Sequence, residues 1–271
     1  KLNDTCILHI ILNRFLFAFC TIFSCISYLF CRLYAIQLTF VHFKYNIRYK
    51  GNSHTPPNCT DARKKESTVK KTELAVRLTN ACTCVSEAED ILTEIDSKFG
   101  DADHGLTMTK IAKAISQAVA EADGGIQSML DAAAMAVMML NGGSAVPLWN
   151  TWLDGMQEAA PASDEVDVAG LKAMFAGAFT ALDEMSGAKV GDKTMMDALI
   201  PASQAIAAYA GDSESELFDV AAAAAHEGSE ASKQFVSKFG RAKSYGEQTI
   251  GTPDAGATSM AYFFKGLSKA N

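Results

Sequence analysis

Two aspartates two residues apart, Asp101-Ala-Asp103, lie in a glycine-bounded segment, Gly100 to Gly105, and a third carboxylate, Asp96, lies five residues upstream. On an irregular loop, side chains at that spacing can turn to one point. Three carboxylates gathered there repel one another unless a cation sits among them. All-oxygen, all-anionic ligation selects a hard ion such as Mg2+ over Zn2+, and Mg2+ commonly combines a few carboxylates with substrate phosphates. An EF-hand is excluded because no glutamate closes the loop. Helix capping is the structural alternative for an Asp-x-Asp pair.

Other residues suit an anion. His104-Gly105-Leu106-Thr107 opens a predicted helix, whose free N–H groups and positive dipole end favour phosphate. His104 has a second reading as a capping residue. Gly142-Gly143 permits close backbone approach and Ser144 supplies a hydroxyl, although a plain interhelical turn explains the same residues. Asp192 or Thr194 reads as a helix cap, with Met195 behind it able to pack on a base. Asp254 caps the last predicted helix. Arg241 is the only arginine after Arg77, a candidate phosphate clamp with a surface salt bridge as its alternative. No P-loop, strand-linked dinucleotide fingerprint or nucleophile elbow is present.

Helices must position these groups. From Thr72 onward apolar residues recur at helical spacing, and β-branched alternation is rare. Eight helices are predicted: Glu73–Ile95, Leu106–Glu121, Ile126–Leu140, Leu148–Ala159, Val168–Met185, Lys193–Ala210, Ser215–Phe239 and Gly256–Ala270. Phe175, Phe179 and Leu182 mark a core stripe, and Met135, Met138 and Met139 form a comparable patch read as core packing. Short connectors imply an all-α, antiparallel up-and-down barrel or bundle. In that topology the odd connectors share one end and the even connectors the other. The even ones, 122–125, 160–167 and 211–214, read as ordinary polar turns. The odd ones, 96–105, 141–147, 186–192 and 240–255, carry every group considered above except Leu106, Thr107, Thr194 and Met195, which lie in the first turns of the helices beside them. One composite site at one end is therefore expected.

Composition divides the chain. Residues 1–71 hold 11 Lys and Arg against 3 Asp and Glu, a net +8; residues 72–271 hold 13 against 28, a net −15. So acidic a unit repels nucleic acid, yet it can hold a nucleotide if cations sit between carboxylate and phosphate. All seven cysteines lie at or before Cys84, which excludes a disulfide framework or thiol nucleophile beyond that point and fits a reducing, cytoplasmic setting. The chain starts with Lys1 and its first methionine is Met108, so residues 1–71 are expected to be an extraneous leader or disordered extension. The apolar run Phe15–Cys31 leaves a membrane anchor, or a folded element, as the alternatives.

Asp96, Gly-Asp-Ala-Asp-His-Gly at 100–105, Gly-Asp-Lys-Thr-Met at 191–195, Gly-Arg-Ala at 240–242, Ile-Gly at 250–251 and Asp-x-Gly-Ala-Thr-Ser at 254–259 together resemble the nucleotide-binding L subunits of dihydroxyacetone kinases. The resemblance implies an eight-helix barrel with ADP (or ATP) and two Mg2+ ions at one end. It implies Asp96, Asp101 and Asp103 as metal ligands. His104, Gly105, Leu106, Thr107, Ser144, Ala145, Met195, Arg241, Asp254, Ala255 and Gly256 would line the nucleotide. No side-chain nucleophile is implied. The standalone form keeps ADP as a fixed cofactor, rephosphorylated by a phosphohistidine carrier of the phosphotransferase system. The phosphoryl group then passes to dihydroxyacetone held by a separate K subunit, and a homodimer is a further expectation. Residues 142–151 depart from the family pattern: Ala145 replaces a small hydroxyl residue, and Val146 and Asn150 replace glycines. Ala255 also replaces a proline. Val146 is expected to stiffen the loop where it meets phosphate. Two other readings follow, a non-catalytic nucleotide-bound interaction module and a kinase subunit for another small ketose or polyol.

Overall fold

The computed structural model describes residues 68–269. Residues 1–67 of the expected leader, the apolar run 15–31 included, lie outside the described residues, while 68–71 form a strand and the start of a helix. Strand β1 (Thr68–Lys70) pairs antiparallel with β2 (Glu165–Asp167), with Val69 opposite Val166, and both valines are buried. The nine α-helices among the described residues are α1 (Lys71–Glu87), α2 (Glu89–Ser97), α3 (His104–Glu121), α4 (Ile126–Met138), α5 (Ala145–Glu158), α6 (Val168–Ser186), α7 (Met196–Ala208), α8 (Glu214–Ala231) and α9 (Ala255–Ser268). Two 3-10 segments, Ser232–Gln234 and Arg241–Thr249, join α8 to α9.

Several helix ends have a local cause. The Asp167 carboxylate accepts the Gly170 N–H at 2.7 Å and starts α6, which stops at Gly187 in the left-handed region. Ser213 caps α8 and Asp254 caps α9 through the Ala257 N–H. The single helix expected over 73–95 breaks at Ala88 (φ −90°, ψ 6°) into α1 and α2. The break accompanies close packing of α2 on the start of α3, where a side chain on Gly105 would meet the backbone of Glu89 and Thr93. The helix expected to start at Lys193 starts at Met196, because Lys193 itself adopts φ 60°. The helix expected to reach Phe239 ends at Ala231, where the Ser232 hydroxyl donates back to the Ser229 carbonyl and the chain turns into 3-10 geometry.

Consecutive helices are neighbours, and α9 packs on both α8 and α1, so the staves close into an up-and-down ring. Trp149 and Trp152 of α5, Phe175 of α6, Phe218 of α8 and Phe263 and Phe264 of α9 fill its interior. Their rings meet at centroid distances of 5.0 to 6.5 Å, mostly edge to face. Such pairs add about 0.5–1.5 kcal/mol each beyond area burial. Arg77 secures the closing seam: from α1 it donates to the Leu267 carbonyl (3.0 Å) and the Ser215 hydroxyl (2.9 Å) and lies over the Phe218 ring.

Phe175 and Leu182 are buried as expected. The methionine patch is not core: Met135, Met138 and Met139 are 49%, 51% and 77% exposed. The inward face of α4 is instead Met129, Leu130, Ala133, Ala134 and Val137. Helical spacing identifies which residues share a face, and in a helix this apolar it leaves open which face turns inward. Among the described residues no helix is long and apolar enough to cross a membrane.

Candidate functional site

Helices α3, α5, α7 and α9 all begin at one end of the ring, and the segments leading into them line one cavity of about 630 Å3. This is the end expected from the alternation of connectors. Four helix N-termini there carry partial positive charge.

The acidic group lies on the α2–α3 connector. One oxygen from each of Asp96, Asp101 and Asp103 lies within 4.8 Å of the others. Asp96 is oriented by its neighbours: its Oδ2 accepts the N–H groups of Asp103 (3.1 Å) and His104 (3.3 Å). Ala102 takes the left-handed conformation, φ 61°, and so turns the chain between the two exposed aspartates. Gly100 is required beside them, since a Cβ there would lie 2.7 Å from the Asp96 Cγ and 2.9 Å from its carbonyl oxygen. The donor set fits a hard divalent cation: oxygen only, anionic, convergent and open to solvent.

His104 is the first residue of α3, and its Nε2 lies 3.2 Å from the Ser259 hydroxyl of α9, so two helix starts are tied together. Burial lowers its pKa against the opposing pull of Asp96, the Ala255 carbonyl and Asp103, which favours a neutral ring. Thr107, Ser144, Ala145, Met195, Asp254, Ala255 and Gly256 line the cavity. Gly105 and Leu106 do not: Gly105 packs against α2, and Leu106 is half exposed. Asp254 holds α9 in place, and burial raises its carboxyl to about 6 despite the N–H it accepts from Ala257.

The altered segment 142–151 is less disruptive than its sequence suggests. Val146 is helical and buried, with its methyl group where a Cβ on Gly142 would fall, and it lines no part of the cavity. Gly143 faces open space. Asn150 donates to the Ala134 carbonyl and ties α5 to α4.

Two residues that sequence reasoning missed hold the α6–α7 connector. The buried Lys193 ammonium donates to three carbonyls, Ser232 (2.7 Å), Phe235 (3.1 Å) and Thr252 (2.6 Å), and so fastens this connector to the α8–α9 segment. Burial lowers its pKa. The buried Asp197 carboxylate accepts the N–H groups of Gly191 (2.6 Å) and Thr194 (2.7 Å). The Thr194-x-x-Asp197 spacing is the available sequence signal, an acidic residue reaching back to a helix start. Neither Asp192 nor Thr194 is the cap of α7, whose N-cap is Met195: Thr194 accepts the Met196 N–H from one residue before it, and Asp192 accepts from Lys189 within its own turn and pairs with Lys238.

Arg241 stands at the cavity mouth, and its guanidinium is ion-paired with Asp101. Beside it, Tyr245 packs on Phe99 at 5.2 Å between ring centroids. The α8–α9 strap thus rests on the acidic loop.

The DAK2 domain family matches residues 98–269. The chain is 35% identical over 182 residues to a D-erythrulose kinase of Mycolicibacterium smegmatis, covering 65% of this chain and 31% of that protein. It is 29% identical over 206 residues to the ADP-binding subunit of PEP-dependent dihydroxyacetone kinase of Escherichia coli, covering 74% of this chain and 97% of the subunit. The chain therefore spans about a third of the first relative and nearly all of the second. The fold is similar to that in the crystal structure of the dihydroxyacetone kinase from C. freundii in complex with AMP-PNP and Mg2+, with TM-score 0.55, 22% identity, and 80% of this chain and 36% of that one covered.

Proposed function

The chain belongs to the DAK2 domain family, and from that premise we propose that residues 72–271 bind ADP or ATP through two Mg2+ ions and serve phosphoryl transfer to a small ketose. The observation that carries this reading is the carboxylate trio set at the mouth of a cavity into which four helices begin. Carboxylates alone would repel phosphate. Helix N-termini alone would hold it weakly, and the two together suit a metal–phosphate complex.

Asp96, Asp101 and Asp103 would hold the metal, which when bound neutralises charge between carboxylate and phosphate oxygens. The starts of α3, α5 and α9 offer backbone N–H groups to the phosphates, with Thr107 and Ser144 hydroxyls beside them. Arg241 is a charged donor at the mouth, and Met195 gives a base an apolar surface. No side-chain nucleophile is assigned, because orientation and charge neutralisation carry phosphoryl transfer.

The acceptor would be dihydroxyacetone on a separate K subunit, with resident ADP recharged by a phosphohistidine carrier. The near-complete span of the E. coli ADP-binding subunit supports this form. A second reading, a four-carbon ketose as acceptor, is supported by the higher identity to the D-erythrulose kinase.

The test is what the protein carries. Purified in Mg2+, it should retain ADP that mass spectrometry identifies after release, and a chelator should strip it. Asp101→Asn should retain at least about tenfold less, the loss of one charged ligand being worth more than 1.4 kcal/mol. A preparation that neither carries nor takes up ADP or ATP with Mg2+ would rule the reading out. Supplying the K subunit with carrier, and offering dihydroxyacetone or erythrulose, separates the acceptors.

A further inference from the structure

The acidic loop already holds a cation, and it belongs to the protein. Arg241 is the one arginine beyond Arg77, and its guanidinium is paired with Asp101, one of the three clustered carboxylates. Both partners are substantially exposed, at 68% and 41% of their side chains, so the pair is cheap to break. Arg241 sits on a strap whose only ring contact to the acidic loop among the described residues is Tyr245 on Phe99. Glycines at φ 59°, 53° and 93° (Gly240, Gly246, Gly251) punctuate that strap, and each faces open space.

We propose that Arg241 is a placeholder for the metal: its guanidinium neutralises Asp101 and transfers to phosphate when metal and nucleotide enter together. The inference rests on the metal–nucleotide reading above and adds an order to it. A divalent ion arriving alone must displace the guanidinium from Asp101 and then remain beside an unpaired positive charge. An ion arriving with nucleotide brings phosphate oxygens that give the guanidinium a new partner. Metal and nucleotide binding are thereby coupled through one side chain, which offsets one of the three carboxylate charges. Arg241 is a binding residue in this account, exchanged between Asp101 and phosphate.

The test uses Mn2+ as probe on the full chain stripped of nucleotide, with free Mn2+ followed by electron paramagnetic resonance. Arg241→Gln should bind Mn2+ alone about fivefold tighter than the wild type, the scale of an exposed ion pair. With ADP present the order should reverse, the variant holding Mn2+–ADP about tenfold more weakly. Equal or weaker binding of Mn2+ alone by Arg241→Gln would overturn the exchange. Asp101→Asn separates that failure from a failure of the metal reading. If Mn2+ binding disappears in Asp101→Asn yet ignores Arg241→Gln, the site stands and the exchange falls. If neither substitution alters Mn2+ binding, or no Mn2+ binds, both fall.

Discussion

Gly100 shows how narrowly the acidic site is built. Its neighbour Asp96 spends one carboxylate oxygen on the N–H groups of Asp103 and His104 and leaves the other free. A methyl group at position 100 would press on the Asp96 Cγ and on its carbonyl oxygen, which is backbone and cannot give way. Gly100→Ala should therefore turn the Asp96 side chain off its orientation. The expected result is roughly tenfold weaker Mn2+–ADP binding by calorimetry, with a stability loss of only about 1 kcal/mol in urea unfolding. Unchanged binding would mean that Asp96 is no ligand. At this scale much was legible in advance, because Asp-x-Asp spacing, flanking glycines and a solitary arginine are local signals. The partner of Arg241 was not, since ion pairing between residues 140 positions apart depends on how two loops fold toward each other.

Among elements, the periodicity of apolar residues located the staves and their connectors, and alternation placed the odd connectors around one cavity. The failures have two physical origins. The break at Ala88 and the outward turn of the α4 methionines are decided by what packs against the helix, and the early stop of α8 by a hydroxyl that turns back on a carbonyl of its last turn. Lys193 is the sharpest case. Its place just before a helix reads as an ordinary first-turn lysine, yet its ammonium gathers three carbonyls from a distant segment. Removing it leaves those carbonyls unpaired in a buried place. Lys193→Met should cost about 3 kcal/mol of stability and loosen the strap that carries Arg241 and Asp254. Hydrogen exchange should show faster amide exchange over 232–254 than in the wild type, while the α3–α4 hairpin keeps its protection.

Across the whole molecule the two ends have different work. One end holds the cavity; the other holds the two-stranded ladder that joins the start of α1 to the α5–α6 connector. Val69 is fully buried in that ladder. Val69→Asp should lower the urea midpoint by the equivalent of about 3 kcal/mol, the cost of burying an unpaired carboxylate in place of a methyl-bearing side chain. Nucleotide affinity of the folded fraction should stay within about twofold, because distant sites behave additively. A large affinity loss would show that the ends communicate.

The closing of the ring by α9 against α1 has a consequence for synthesis. The stave that seals the wall also brings Asp254 and the last helix start to the cavity, and it follows every other described element in the chain. A nascent chain lacking α9 has an open wall, exposed tryptophans and an unfinished mouth. On the proposed reading, a nascent chain takes up nucleotide only after α9 has emerged and docked.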